Sequence, residues 1–169
     1  MKKILLIMLV FCLGSCFSLA EEATPSDAPA SVYEQIEMSA VKEEIDLLFD
    51  KEETEDGFIL YGGEALCAFY ESGRLQAKAR VFENVADLAP IANIPLDKIS
   101  GYKQGMTIDD VTSAFGAEGL EIMKINLADE DDAGVRRVLV WKTEKNVVVQ
   151  ALFELDDNEW VLFAIAEVK

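Results

Sequence analysis

Hydrophobic residues recur with a helical period in two stretches of the chain and with a period of two in much of the rest. The sharper helical stretch is Gly105 to Gly116, where Ile108, Val111 and Phe115 fall on one apolar stripe. Both ends of this helix are encoded locally. Thr107 is placed to cap the N-terminus with Asp110 three residues on, Met106 and Val111 can staple the entry, and Gly116 tolerates the left-handed conformation that ends helices. Upstream, Val32 to Met38 predicts one or two helical turns. Val41, Ile45, Leu48 and Phe49 then mark the stripe of a following helix. The two helices echo each other: Glu43-Glu-Ile-Asp-Leu-Leu-Phe49 lines up with Asp109-Asp-Val-Thr-Ser-Ala-Phe115, with two acids, a β-branched residue, three variable positions and a phenylalanine.

Strand-like sequence follows each helical part. Ala65 to Glu71 and Arg74 to Phe82 flank Ser72-Gly73, and Val147 to Asp156 and Glu159 to Val168 flank Asp157-Asn158, so each half predicts a hairpin with a two-residue turn. Further strands are expected at Phe58 to Tyr61, Glu121 to Leu127 and Val135 to Lys142, with Asp129 to Asp132 as a solvated turn. Alternation through the turns puts Leu66, Ala68, Tyr70, Leu75, Ala77, Ala79 and Val81 on one face of the first hairpin. On the second, the same face takes Ala151, Phe153, Leu155, Trp160, Leu162, Ala164 and Ala166. Helices are expected over these faces. The opposite face would carry Phe69, Arg74, Lys78 and Arg80 in the first half and Leu152, Val161, Phe163 and Ile165 in the second.

The chain opens Met1-Lys2-Lys3 and continues with an apolar run from Ile4 to Leu13, the layout of a signal peptide and too short to span a bilayer. Ser18-Leu19-Ala20 favours cleavage before Glu21, whereas Leu13-Gly14-Ser15-Cys16 resembles a lipobox whose cysteine would be lipidated. The expected layout is a signal over 1–20, a flexible tether over 21–31, a first repeat over 32–90 and a second over 91–169, in an extracytoplasmic, secreted or envelope-anchored protein. The full sequence holds 15 Lys plus Arg against 32 Asp plus Glu, and loss of Lys2 and Lys3 leaves 13 against 32, a net charge of −19. Such a charge disfavours nucleic acid as a partner and leaves a lipid anchor as the route to a membrane. Cys12 and Cys16 lie in or beside the signal, so Cys67 is the one thiol of the folded part and reads as a small hydrophobe.

Ile99, then Gly105-Met-Thr-x-x-Asp-Val, then Phe115-Gly116, with a strand carrying Trp141 and two closing strands, resembles the β-lactamase inhibitor protein-like repeat, a pattern shared with small outer-membrane assembly lipoproteins. The match covers Leu96 to Val168, and Val32 to Phe82 is similar as a degenerate copy without the Gly-Met-Thr and the terminal glycine. The resemblance implies an α+β fold of two tandem helix-helix-antiparallel-sheet repeats, with helices on one face of a curved sheet and protein partners bound on the other.

Chemistry is otherwise sparse. With no histidine in the chain, the commonest general base, the Ser-His and Cys-His nucleophile pairs and the usual zinc ligands are missing. No glycine-rich phosphate loop is present, and Gly62-Gly63 reads as a turn. Acid-rich loops at Glu52 to Asp56, Asp129 to Asp132 and Asp156 to Glu159 do not fit a calcium loop; from Asp129 the closing glutamate position falls on Val140. No cofactor or metal is expected. The function expected is therefore a non-catalytic protein-binding module, inhibitor-like or acting in envelope assembly, that uses Phe69, Arg74, Lys78, Arg80, Leu152, Val161 and Phe163 on the open sheet face. The alternatives are a small carboxylate-dependent envelope hydrolase and a structural lipoprotein.

Overall fold

The computed structural model describes residues 31–54, 58–62, 66–126 and 134–168. The signal, the tether, Cys16 and the acidic turn Asp129 to Asp132 lie outside them. Among the described residues there are four α-helices, α1 (Val32–Gln35), α2 (Lys42–Asp46), α3 (Val85–Leu88) and α4 (Ile108–Phe115), with a 3-10 helix at Leu96–Gly101. Eight strands follow chain order in an antiparallel sheet: β1 (Lys51–Glu53), β2 (Ile59–Tyr61), β3 (Leu66–Glu71), β4 (Arg74–Arg80), β5 (Leu120–Asn126), β6 (Val135–Lys142), β7 (Val148–Asp156) and β8 (Glu159–Glu167).

Strand accounts for 44 % of the described residues and helix for 22 %, which overturns the expected α+β class with paired helices in each repeat. The fold is sheet-dominated, because three of the four helices are single turns of four or five residues, too short to hold themselves without tertiary support. Only α4 has both ends capped by its own sequence. Thr107 accepts a hydrogen bond from the Asp110 backbone N–H at 3.1 Å, Asp110 accepts one from Thr107 N–H at 3.0 Å, and Gly116 ends the helix at φ 73°.

The chain divides into two compact units, one holding the residues up to Leu75 and Ala79–Asn84, the other Gln76–Lys78 and everything from Val85. In the first, Tyr33 and Ile36 from the α1 region and Ile45 from α2 pack on Ile59, Tyr61, Leu66, Ala68 and Leu75. Leu48, expected on the apolar stripe of α2, is 73 % exposed: the helix stops at Asp46 and the chain turns before that stripe is complete. In the second unit, Ile99, Val111 and Phe115 pack on Leu139, Trp141, Val149, Ala151, Phe153 and Leu162. Phe115 meets Trp141 edge-on at 5.1 Å, the Trp141 indole donates to the Ala117 carbonyl at 2.9 Å, and Gly119 leaves room for that ring, since a Cβ there would lie 2.5 Å from it.

Both hairpin turns adopt the left-handed pairs that match strand twist, Ser72 and Gly73 at φ 50° and 76°, Asp157 and Asn158 at φ 44° and 69°. The register of β8 departs from simple alternation. Phe153 pairs with Leu162 but Leu152 pairs with Ala164, so Phe163 is an extra residue at a β-bulge. Beyond it every side chain changes face. Ile165, expected on the open face, packs against the helix-covered core, and Ala164 and Ala166, expected under the helices, are exposed. A one-residue slip is sufficient for this because the side-chain period of a strand is two.

The segment before the main helix takes the same route in each unit. Val41, the N-cap of α2, bridges Arg74 in β4, and Thr107, the N-cap of α4, bridges Val161 in β8. Hydrogen bonds close both: Ser39 N–H to Leu75 O at 3.2 Å and Leu75 N–H to Ala40 O at 3.0 Å in one, Gly105 N–H to Leu162 O at 2.8 Å and Leu162 N–H to Met106 O at 2.7 Å in the other. Each helix is thereby tied to the second strand of the hairpin in its unit.

Candidate functional site

Of the seven residues expected to form a binding face, four serve the first unit or lie inside the fold. The Arg80 side chain is 14 % exposed, and its guanidinium donates to Glu34 at 2.8 Å and to the Ser31 hydroxyl at 2.9 Å and lies 4.4 Å above the Tyr33 ring. It clamps α1, and its hydrogen bond holds the Glu34 carboxyl below its usual range. Lys78 is buried. Arg74 is exposed and donates to the Ser39 carbonyl at 3.2 Å. Phe69 is half-buried against Phe58, ring centroids 5.9 Å apart.

The other three come together on the β7–β8 hairpin. Leu152 and Val161 are half-buried, and Phe163, at the bulge, is 40 % exposed. Above that ring, at 4.9 Å, lies the guanidinium of Arg136 from β6, whose Nη2 also meets Glu154 of β7 at 3.5 Å. Glu154 and the exposed aromatic ring thus share one guanidinium, each contact contributing on the order of 1 kcal/mol or less at such exposure. The neighbouring Arg137 points the other way, 4.1 Å from the Trp160 ring and 3.7 Å from Glu121, with Lys124 Nζ at 5.6 Å from the same indole. Arg136 and its role escaped the sequence analysis. Alternation along β6 separates Arg136 from Arg137, but only the β6–β7 register, with Arg136 opposite Glu154, shows which of the two reaches Phe163.

A second polar cluster, also unforeseen, surrounds Asp46 at the end of α2. Lys42 donates to its Oδ2 at 2.9 Å, Lys51 binds the same oxygen, and the Tyr61 hydroxyl donates to Oδ1 at 2.7 Å while accepting from Tyr70 at 3.0 Å. Burial pushes the Asp46 carboxyl up, but hydrogen bonds from Lys51, Tyr61 and Lys42 outweigh it and hold the group at about 2. Burial, with the Tyr70 and Asp46 contacts, pushes the Tyr61 phenol far above its usual value. An acid held so firmly ionised, with both oxygens occupied, is poorly suited to donate a proton. Among the described residues no group of acids and thiols is placed to hold a metal ion.

A scan against known protein families finds no match to this chain, and a search of characterised proteins finds none either.

Proposed function

We propose that this chain is an exported protein-binding module, of the inhibitor-like or envelope-assembly kind, whose contact patch is the β7–β8 hairpin around Phe163. The observation that carries the reading is the exposed ring at the bulge, beneath the Arg136 guanidinium and on the same hairpin as the half-buried Leu152 and Val161. Bulges re-aim side chains, and an exposed aromatic ring beside a guanidinium has the composition of an interface anchor. Export is supported by the Lys2-Lys3 start and the apolar run from Ile4 to Leu13.

The test uses the chain isolated from its native host, with its N-terminal mass read first: a start at Glu21 or at a lipidated Cys16 is expected, and an intact Met1 overturns export. With the mature protein as bait for native envelope proteins, Phe163→Ala is expected to lose the partners that the parent retains, with an unchanged melting temperature. Retention of the same partners at parental affinity by a folded Phe163→Ala overturns the patch.

A further inference from the structure

The two most exposed large apolar residues among those described are neighbours, Leu47 at 86 % and Leu48 at 73 %. They follow directly on α2, where the backbone continues to turn, Leu48 and Phe49 N–H both donating to the Ile45 carbonyl at 2.9 and 3.2 Å. Helical spacing therefore brings them beside Glu43 and Glu44, one turn earlier. Neither leucine joins the core of the first unit, whereas Ile45 and Phe49 on either side do.

Charge around the pair is one-sided. Residues 42–53 contain six acids and two lysines, and both lysines are drawn onto Asp46, where Lys42 and Lys51 share its Oδ2. Glu43, Glu44, Asp50, Glu52 and Glu53 are exposed in the same stretch of chain as Leu47 and Leu48, and of these Glu53 meets Lys42 at 3.7 Å. The Asp46 network thus engages both local lysines, and the apolar pair lies in a stretch where carboxylates outnumber cations by four.

We propose that Leu47 and Leu48 form a docking point for a cationic segment of another protein, one that carries apolar side chains at one-turn spacing. Charge complementarity selects this occupant. A second copy of the chain would bring a like charge of −19 against the same acids, and a phosphate-bearing lipid surface would be repelled by them. Basic residues over Glu43, Glu44 and Glu52 would supply orientation and on-rate, and the leucines the desolvated contact. The proposal concerns the first unit alone and does not depend on Phe163.

A short amphipathic peptide of lysine and leucine, with the leucines on one helical face, serves as the probe, titrated against the mature protein at low and moderate salt. Binding that weakens with salt is expected for the parent, together with a loss of about tenfold or more in affinity for the double variant Leu47→Ser, Leu48→Ser. Both positions are exposed, so the melting temperature should hold. In the variant Glu43→Gln, Glu44→Gln the leucines remain and the salt dependence should shrink. Equal affinity of parent and leucine variant overturns the proposal, because net charge alone would then explain binding. So does finding that the leucines are instead needed for self-association in sedimentation or for binding to phosphatidylcholine vesicles.

Discussion

Helices α2 and α4 start from the same sequence pattern and end as different objects. Both are preceded by a segment bridged to the second strand of a hairpin, both have two acids in the first turn, and both place a β-branched residue and a phenylalanine where a core lies. α4 runs for eight residues between a reciprocal Thr107–Asp110 cap and Gly116, and buries Val111 and Phe115 completely. α2 runs for five, has no side-chain cap on Val41, and ends at Leu47 still in a right-handed conformation. Its Phe49 is only half-buried, and the ionic contacts of Asp46 take the place of the missing end signals. A helix whose ends are specified by capping can spend its apolar face on the core. One whose ends are held by ion pairs leaves part of that face outside, here Leu47 and Leu48.

Truncating the two phenylalanines should separate the units most sharply. Phe115→Ala is expected to cost about 3 to 5 kcal/mol in urea unfolding, from a site closed by Tyr102 at 5.3 Å and Trp141 at 5.1 Å, and Phe49→Ala about 1 to 2 kcal/mol. Equal losses would show that α2 is docked as firmly as α4 and would remove the contrast.

A smaller effect should follow pH and should be confined to the first unit. The Asp46 carboxyl is lowered from 3.8 in the unfolded chain to about 2 in the fold, so its contribution is present above the higher value and is lost as pH falls through the lower one. The shift corresponds to about 2 kcal/mol. Asp46→Asn should therefore flatten the acid limb of the stability curve by that amount relative to the parent. Parallel curves for the two proteins across this window would mean that Asp46 does not anchor α2.

The smallest pair of changes exchanges the end signals themselves. Thr107→Ala should destabilise α4 by about 1 kcal/mol, and Val41→Thr, which creates a Thr-x-x-Glu capping box with Glu44 while keeping a β-branched residue at the bridge, should stabilise α2 by about 0.5 kcal/mol. Thermal unfolding followed by circular dichroism reads both. A loss of stability in Val41→Thr would place the weakness of α2 elsewhere than at its N-terminus.

What the sequence made legible was whatever depends on near neighbours. The caps of α4, the turns at Ser72-Gly73 and Asp157-Asn158, and most strand limits are local, and they lie where alternation and turn chemistry predict. β1 was missed because Lys51–Glu53 is three exposed charged residues with no apolar alternation to betray a strand. The bulge at Phe163 was missed for a related reason: nothing in Leu162-Phe163-Ala164 marks an extra residue until β7 is laid beside it. For the candidate site, alternation placed Leu152, Val161 and Phe163 on one hairpin but could not supply Arg136. Nor could it show that Arg80 would be taken by Glu34, forty-six residues away in sequence. Such pairings are set by register and by chain return, both long-range properties.

The placement of the indoles has a consequence for spectroscopy. The chain has two tryptophans, Trp141 sealed in a core with its N–H on the Ala117 carbonyl and Trp160 partly exposed between Lys124 and Arg137. Both belong to the second unit, whereas Tyr33, Tyr61 and Tyr70 belong to the first. Excitation at the red edge of the absorption band, where only indole absorbs, therefore reports on the second unit alone. Trp141 should contribute the blue-shifted, quencher-resistant emission and Trp160 the component that iodide or acrylamide reaches. The first unit is silent at that wavelength; it holds three of the four tyrosines, while Tyr102 packs on Phe115 in the second unit.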